Sequence, residues 1–219
     1  MALSRKQASE ALPAWRYLLG RMHLTVDAGS FPSALAFVND VGRIAEEHNH
    51  HPEIDLRYSR VHLAVASHDA GGITERDVAF GSAVADLVAA RGLEPVTSNL
   101  AEFEIAIDAL DIPAVLPFWR AVTGYADDGP EALADPLLIG PPIWFQQMDE
   151  PRPQRNRIHI DLTLPHDVVR TRLDRALAAG GTLLSDAAAP SFWVLSDPEG
   201  NEVCLCTWQG RDEWDALDA

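Results

Sequence analysis

The 219-residue sequence predicts an α+β protein: an antiparallel sheet with helices on one face, followed by paired βαβββ units. Strand-like alternation and amphipathic helical stripes both occur in the first half, and the second half carries a weak internal duplication. A turn-rich passage, RGLEPVTSNL, separates the two halves. We therefore predict one domain over residues 1–95, a second over 99–210 and an acidic tail over 211–219.

The negative charge is concentrated in the second half. Residues 1–98 contain nine Lys or Arg and twelve Asp or Glu, whereas residues 99–219 contain eight and twenty-one. The net charge of −16 at pH 7 argues against a nucleic-acid partner, because phosphates require a basic surface.

The composition also bears on the compartment. No apolar run reaches the roughly 20 residues that a membrane-spanning helix needs, and the first residues lack the apolar core of a secretory signal. Cys204 and Cys206 lie two apart in one predicted strand, so their side chains point the same way and are poorly placed to bond to each other. We expect a cytoplasmic protein with no membrane partner and no disulfide framework.

The first half begins with one or two predicted strands in RYLLGRMHLTVDA. A helix is then predicted from Ser30 and Pro32, which are common helix-start residues, to a point before Pro52, which cannot lie inside a helix. Its predicted apolar stripe consists of Leu35, Val38, Val41 and Ala45. The HNHHP segment is thus predicted to be a helix end, where side chains project from regular structure.

A strand and a second helix follow. Val61, Leu63 and Val65 alternate with smaller or polar residues, which is typical of a half-buried strand. Thr74 and Asp77 have the spacing of a capping box, so the next helix should begin there. Its predicted apolar stripe consists of Phe80, Val84, Leu87 and Val88.

Five of the eight histidines fall between His48 and His68. Three interpretations compete: solvated or packed side chains, a zinc site, and general acid–base catalysis. Zinc is disfavoured because the HExxH pattern is absent, this half has no cysteine, and neighbours such as His50 and His51 rarely bind one ion together. Imidazole titrates near neutrality, so histidines that bracket a small substrate could exchange protons with it.

The stretch AEEHNHHPEIDLRYSRVHLAVASHDAGGITERD resembles the signature of the pterin-4a-carbinolamine dehydratases. That signature has a glutamate, a histidine pair with proline, an aromatic residue, a further histidine, a glycine-rich turn and an (S/T)ERD-like helix start. The matching residues here are Glu46, His50-His51-Pro52, Tyr58, His68, Gly71-Gly72 and Thr74 to Asp77. The resemblance covers about residues 15–92.

The resemblance implies that His50, His51 and His68 are catalytic. The family removes water from a 4a-hydroxy-tetrahydropterin to give the quinonoid dihydropterin, without a metal or organic cofactor. By this resemblance His51 positions the substrate and transfers the central proton, while His50 and His68 act as acid and base. It also implies a pterin as the small-molecule partner and a homodimer as the assembly.

The family's pocket positions carry over to a further set of residues. These expected substrate-binding residues are Glu46, Asn49, Pro52, Ala66, Ser67 and Asp69. Asn49 stands where the family commonly has an acidic residue, and Ala66 replaces a small polar one, but neither change removes a proton-transfer group. His62 is expected to be packed or hydrogen-bonded to its neighbours on the sheet, and His23 and His48 to lie at the surface.

The second half predicts two βαβββ units. The first contains the strand EFEIAIDALD, the helix PAVLPFWRAVTGY and the strand PIWFQQM. The second contains the strand RIHIDLTL, the helix VVRTRLDRALAAGG, the strand TLLSD and the hairpin SFWVLSDPEGNEVCLCTW. The DPEGN segment is a strong hairpin signal.

The segments FWRAVTGY, HIDL and DPEGNEVCLC resemble the glyoxalase-like branch of the vicinal-oxygen-chelate superfamily. Metal-dependent members place four ligands on the first and last strands of the two units. The matching candidates here are Glu104, Gln146 or Gln147, His159, and Cys204 or Glu202. The competing interpretation, which we favour, is that His159 lines an apolar cup without an ion.

Three functional hypotheses follow. The first is a hydro-lyase, a 4a-hydroxytetrahydrobiopterin dehydratase that uses histidine acid–base catalysis without metal. The second is a pterin- or partner-binding dimerisation module with negligible turnover. The third places a metal-dependent glyoxalase- or dioxygenase-like activity in the second domain.

Overall fold

The computed structural model describes residues 2–97, 100–151, 159–164, 166–207 and 209. The chain forms two units, Met1–Glu102 and Phe103–Ala219. The predicted acidic tail, 211–219, lies outside the described residues. Within the described part of the chain, every helix is too short or too polar to cross a bilayer.

The first unit contains three α-helices and a four-stranded sheet. In chain order its elements are α1 (Arg5–Ala11), β1 (Arg16–Leu18), β2 (Arg21–Asp27), α2 (Phe31–His48), β3 (Glu53–Arg57), β4 (Arg60–Val65), a 3-10 turn (His68–Ala70) and α3 (Glu75–Ala90). The strand order is β1-β2-β4-β3 and every pairing is antiparallel.

One face of this sheet packs against the helices. The core-facing residues of β2 and β4 share the core with residues of α2 and α3 and are Met22, Leu24, Val26, Val61, Leu63 and Val65. Because side chains alternate along a strand, His23, Thr25 and His62 lie on the opposite face, which we call the outer face. The predicted antiparallel sheet with helices on one face is confirmed.

Helix α2 has the predicted start and a different buried stripe. The Ser30 hydroxyl accepts the backbone N–H of Ser33, as an N-cap residue should. Leu35, predicted to face the core, is 44% exposed. The buried residues are Ala34, Phe37, Val41 and Ala45. Successive residues of an α-helix are rotated by about 100° around its axis. Leu35, one residue after the buried Ala34, therefore points away from the core.

The end of α2 turns the chain sharply. Asn49 has left-handed backbone geometry, with φ 45° and ψ 44°, a conformation that Asn tolerates better than most residues. The next N–H, that of His50, reaches back to the Ala45 carbonyl at 3.0 Å. This pair of features is a Schellman-type termination, and it directs the chain back toward the helix at His50.

Two elements of the first unit were not predicted. Helix α1 is a seven-residue segment with one buried side chain, Ala8, so it carries almost no periodic signal. Strand β3 lies at the sheet edge and bears alternating charges, Glu53, Asp55 and Arg57. Charged residues are common on edge strands, where they discourage further pairing, but they mask the apolar alternation that predicts a strand.

The second unit is built from two similar halves. The first half contains β5 (Ile105–Ala109), α4 (Ile112–Thr123), β6 (Ala126–Asp127), β7 (Ala132–Ala134) and β8 (Ile143–Gln147). The second contains β9 (Ile160–Thr163), α5 (Val169–Ala178), β10 (Thr182–Ser185), β11 (Phe192–Ser196) and β12 (Glu202–Cys206).

The two halves share one sheet topology. Their strand orders are β5-β8-β7-β6 and β9-β12-β11-β10, and in each the first strand pairs parallel with the last. The predicted paired βαβββ units are confirmed.

The DPEGN turn between β11 and β12 is tied to helix α4 by its two carboxylates. Asp197 is buried and accepts the indole N–H of Trp119 at 3.0 Å, the amides of Glu199 and Asn201 at 2.9 Å, and the side-chain amide of Asn201 at 2.8 Å. Glu199 accepts the backbone N–H groups of the two residues before α4, at 2.8 and 2.7 Å.

We expect Asp197→Ala to destabilise the second unit by about 3 kcal/mol, because the buried Trp119 indole and the turn amides would lose their acceptor. Chemical denaturation of the full chain, followed by tryptophan fluorescence, measures the change. Asp186→Ala, at an exposed aspartate near the end of β10, is the matched control and should leave the free energy of unfolding within about 0.5 kcal/mol. Equal effects of the two substitutions would contradict this account of the turn.

Candidate functional site

Asp77 links the two segments that carry the predicted catalytic histidines to the start of α3. Its side chain is fully buried at the start of α3. One carboxylate oxygen, Oδ1, lies 2.7 Å from His50 Nε2. The other, Oδ2, accepts the Ser67 hydroxyl at 2.7 Å, the Thr74 N–H at 2.7 Å and the Thr74 hydroxyl at 3.0 Å. The end of α2, the end of β4 and the start of α3 therefore meet at one carboxylate.

The hydrogen bonds keep Asp77 ionised and orient His50. Burial alone would raise the pKa of Asp77, but the bonds from His50, Ser67 and Thr74 outweigh it and lower the pKa below the ordinary value. An ionised carboxylate only accepts hydrogen bonds, so His50 Nε2 must carry the hydrogen. In the neutral ring, Nδ1 then holds the lone pair.

The other two histidines are exposed, and each lies beside a glutamate. His51 Nε2 is 3.0 Å from Glu46 Oε1 at the end of α2. His68 Nε2 is 3.5 Å from Glu53 Oε1 at the start of β3. Each of the three histidines therefore has its own carboxylate partner. A partner of this kind orients an imidazole and stabilises the imidazolium that forms when the ring accepts a proton.

Glu53 also contacts a cation. Its Oε1 lies 3.7 Å from the Arg21 guanidinium, while its Oε2 is buried and has no hydrogen-bond partner among the described residues. A buried carboxylate oxygen without a donor is costly, which makes Oε2 a candidate acceptor for an N–H or O–H group of a bound molecule.

The residues expected to bind substrate differ in their surroundings. Asn49 is exposed and forms the left-handed turn after α2, while Pro52 and Ala66 are half-buried. Ser67 is buried, and its hydroxyl is engaged by Asp77 and Thr74. Asp69 is exposed and forms an ion pair with Arg76, which lowers the pKa of Asp69. Their binding roles stay predictions.

Sequence reasoning missed two carboxylates of this site. Asp77 was recognised only as part of a capping box, because its contact with His50 spans 27 residues of chain and leaves no local pattern. Glu53 was not considered, since the residue after Pro52 shows no periodicity of its own. The close approach of His68 to Glu53 depends on the pairing of β3 with β4.

A second histidine cluster lies on the outer face of the sheet. His23, expected at the surface, is only 3% exposed. Its Nδ1 is 3.2 Å from His62 Nε2, and His62 Nδ1 is 2.8 Å from the Thr25 hydroxyl, so His62 is hydrogen-bonded as expected. His23 was misplaced because the pairing of Pro95 with Val26, and the bond from the Val96 N–H to the Thr25 carbonyl, leave no recognisable strand pattern in the sequence.

In the second unit, the possible metal ligands that lie close to His159 differ in part from the predicted four. His159, Asp161 and Cys204 lie within 4.8 Å of one another, and Glu104 and Glu202 are not part of this group. Gln146 is exposed on β8. In the metal-free protein, burial, with Asp161 nearby, raises the pKa of Cys204 to about 12, so the thiol is protonated at neutral pH. The predicted four-ligand set is therefore not assembled as a group among the described residues.

Two family models match the chain. Residues 1–87 match pterin 4 alpha carbinolamine dehydratase, and residues 104–206 match a glyoxalase-like domain. A putative pterin-4-alpha-carbinolamine dehydratase from Acidobacterium capsulatum is 45% identical over 78 residues, which are 36% of this chain and 85% of that protein. One from Chloroflexus aurantiacus is 42% identical over 89 residues, covering 39% and 96%.

Solved structures resemble each unit. A transcriptional coactivator/pterin dehydratase from Brucella melitensis covers 40% of this chain and 98% of its own, with 25% identity and a TM-score of 0.38. A glyoxalase/bleomycin resistance protein/dioxygenase family enzyme from Burkholderia phytofirmans covers 49% and 98%, with 20% identity and a TM-score of 0.40. Through its first 87 residues, the chain belongs to the pterin-4a-carbinolamine dehydratase family, and it carries a glyoxalase-like domain after them.

Proposed function

We propose that the first unit is a 4a-hydroxytetrahydropterin dehydratase, a hydro-lyase that forms the quinonoid dihydropterin. Family membership supports this proposal, and one observation carries it: His50, His51 and His68 each lie beside a carboxylate, Asp77, Glu46 and Glu53 respectively. Three imidazoles with anionic partners are suited to giving and taking protons near neutral pH.

The reaction needs two proton transfers and no external electrons. The bond from C4a to the hydroxyl oxygen breaks, and the oxygen leaves as water after an imidazolium protonates it. The adjacent ring nitrogen supplies the electron pair for the new C=N bond, and a second imidazole takes the proton of that nitrogen. The acid begins as an imidazolium and ends as a neutral imidazole, and the base changes in the opposite direction. Proton exchange with solvent then restores both groups.

The residues suit these roles to different degrees. His51 and His68 are exposed and can reach a pterin, with Glu46 and Glu53 as their anionic partners. His50 is 7% exposed, and Asp77 holds its Nε2–H, so proton transfer by His50 would use Nδ1. We retain His51 as the central group and His50 with His68 as acid and base. Dehydration by this route uses no metal.

We expect His51→Ala and His68→Ala each to lower the dehydration rate by about 10²–10⁴-fold, because each removes a general acid or base. The assay mixes the full chain with a chemically generated 4a-hydroxy-tetrahydropterin and follows quinonoid product by absorbance. His48→Ala removes an exposed imidazole from the same helix end and is the matched control; its rate should stay near that of the wild type.

Wild-type protein that produces no acceleration over buffer would overturn the proposal. Tight binding of a reduced pterin analogue without turnover would favour the alternative, a binding or dimerisation module. A rate that survives both histidine substitutions would place the chemistry on other residues.

We expect Asp77→Asn to preserve the fold and lower the rate by about 10²–10⁴-fold, because an amide NH₂ facing His50 Nε2 would force the hydrogen onto Nδ1. The basic nitrogen of His50 would then be lost. The pH dependence of kcat/KM should therefore change shape in Asp77→Asn. A merely structural role for Asp77 would leave the shape of this profile unchanged.

We expect Asp77→Ala, by contrast, to lower the local free energy of unfolding by about 2–4 kcal/mol at pH 7, because it leaves His50, Ser67 and Thr74 without their acceptor. The native pKa of Asp77 is depressed, so its stabilisation is present above the ordinary Asp pKa of about 3.9 and is lost as pH falls through the lower native value. The difference between wild type and variant should therefore shrink in acid below about pH 4. Hydrogen exchange of the α3 amides, corrected for intrinsic rates, measures it, and a difference that does not change with pH would contradict the assignment.

A further inference from the structure

The outer face of the first unit's sheet holds two histidines that the dehydratase proposal does not use. In the pairing of β2 with β4, Thr25 lies opposite His62 and His23 opposite Ala64, so His23 and His62 are diagonal neighbours. Their rings are 5.3 Å apart between centroids and inclined by 31°. The chain returns to this region after α3, where the Val96 N–H bonds the Thr25 carbonyl.

Glu102 brings a carboxylate to the same place. Its Oε1 lies 3.5 Å from His23 Nδ1, and His23 Nδ1 lies 3.2 Å from His62 Nε2. One donor atom from each of the three residues falls within 4.8 Å of the other two. Two imidazoles and one carboxylate are a donor set that zinc accepts, as in sites with two histidines and one glutamate.

The spacing agrees with a tetrahedral ion. Zinc bonds of 2.0–2.1 Å at tetrahedral angles place neighbouring ligand atoms about 3.3 Å apart. The two measured separations, 3.2 and 3.5 Å, bracket that value. Glu102 keeps 35% of its side chain exposed, so a fourth position would be open to water. We propose that His23, His62 and Glu102 form a Zn²⁺ site on the outer face of the sheet.

Both imidazoles are affected by burial in the metal-free protein. Burial, reinforced by the neighbouring His62, lowers the pKa of His23 to about 4, with Arg21 adding to the effect and the Leu18 backbone opposing it. Burial also lowers the pKa of His62, against the attraction of Glu102 and Asp55.

Thr25 supplies the outer hydrogen bond that metal-binding histidines usually make. His62 Nδ1 lies 2.8 Å from the Thr25 hydroxyl, and a hydrogen donated there leaves the Nε2 lone pair directed at the cluster. Without an ion, the same tautomer makes His23 Nδ1 the donor to His62. The remaining nitrogen of His23, Nε2, is then a buried lone pair, and it has no hydrogen-bond partner among the described residues.

Zinc binding would change the tautomer of His23. Both lone pairs could face the ion, and the His23 hydrogen would move to Nε2. The ion would also hold Glu102, the last residue of the first unit, against the sheet. The proposed ligands are different residues from His50, His51 and His68, which the proposed dehydration uses.

Metal titration of the chelator-treated full chain tests the proposal. Calorimetry with Zn²⁺ should detect a site whose affinity falls at least tenfold in His62→Gln and in Glu102→Gln. Absorption spectra with Co²⁺ should show the intense visible bands of tetrahedral nitrogen and oxygen ligation, without a thiolate charge-transfer band. Both substitutions act on side chains that are at least partly exposed, and circular dichroism checks that the variants fold.

Two matched variants separate this site from other histidines. His48→Gln removes an exposed imidazole of the first unit, and His159→Gln removes the one beside Cys204; both should retain the wild-type affinity. The proposal is overturned by a wild-type chain that does not bind zinc, or by unchanged affinity in both His62→Gln and Glu102→Gln. Loss of binding in His159→Gln with a thiolate band in the Co²⁺ spectrum would overturn it as well.

Discussion

The arrangement of the first unit depends on one buried carboxylate. Asp77 belongs to a local motif, the capping box that begins α3, and in that role it needs only the Thr74 amide. Its remaining acceptor capacity is filled by Ser67 and His50, from two distant segments. A group that caps a helix thereby also fixes the ring of a histidine in the candidate active site. A substitution of Asp77 would therefore affect both the start of α3 and the orientation of His50.

The second unit uses a related device. Asp197 is buried in the tight turn between β11 and β12 and accepts donors both from that turn and from Trp119 on α4. In each unit a buried aspartate accepts hydrogen bonds from nearby backbone N–H groups and from a side chain that is distant in the sequence. Such residues are expensive to replace, because their removal leaves several donors unpaired at once.

Local signals in the sequence predicted most of the fold and much of the candidate site. Ser30, Thr74 and Asp77 predicted helix starts because capping depends on near neighbours in the chain. His50, His51 and His68 were singled out through the resemblance of the surrounding stretch to the family signature. What could not be predicted depends on pairing between segments: the burial of His23, the approach of Glu53 to His68, and the charged edge strand β3. These contacts leave no pattern within a window of a few residues.

The two cysteines carry a consequence of a different kind. Cys204 and Cys206 are buried on β12, and a pKa of about 12 for Cys204 implies that only about one thiol in 10⁵ is ionised at pH 7. Alkylating and oxidising reagents attack the thiolate, so Cys204 should react slowly with them in the folded second unit. The rate of thiol modification at Cys204 would therefore measure how often β12 separates from its neighbouring strands in the folded protein.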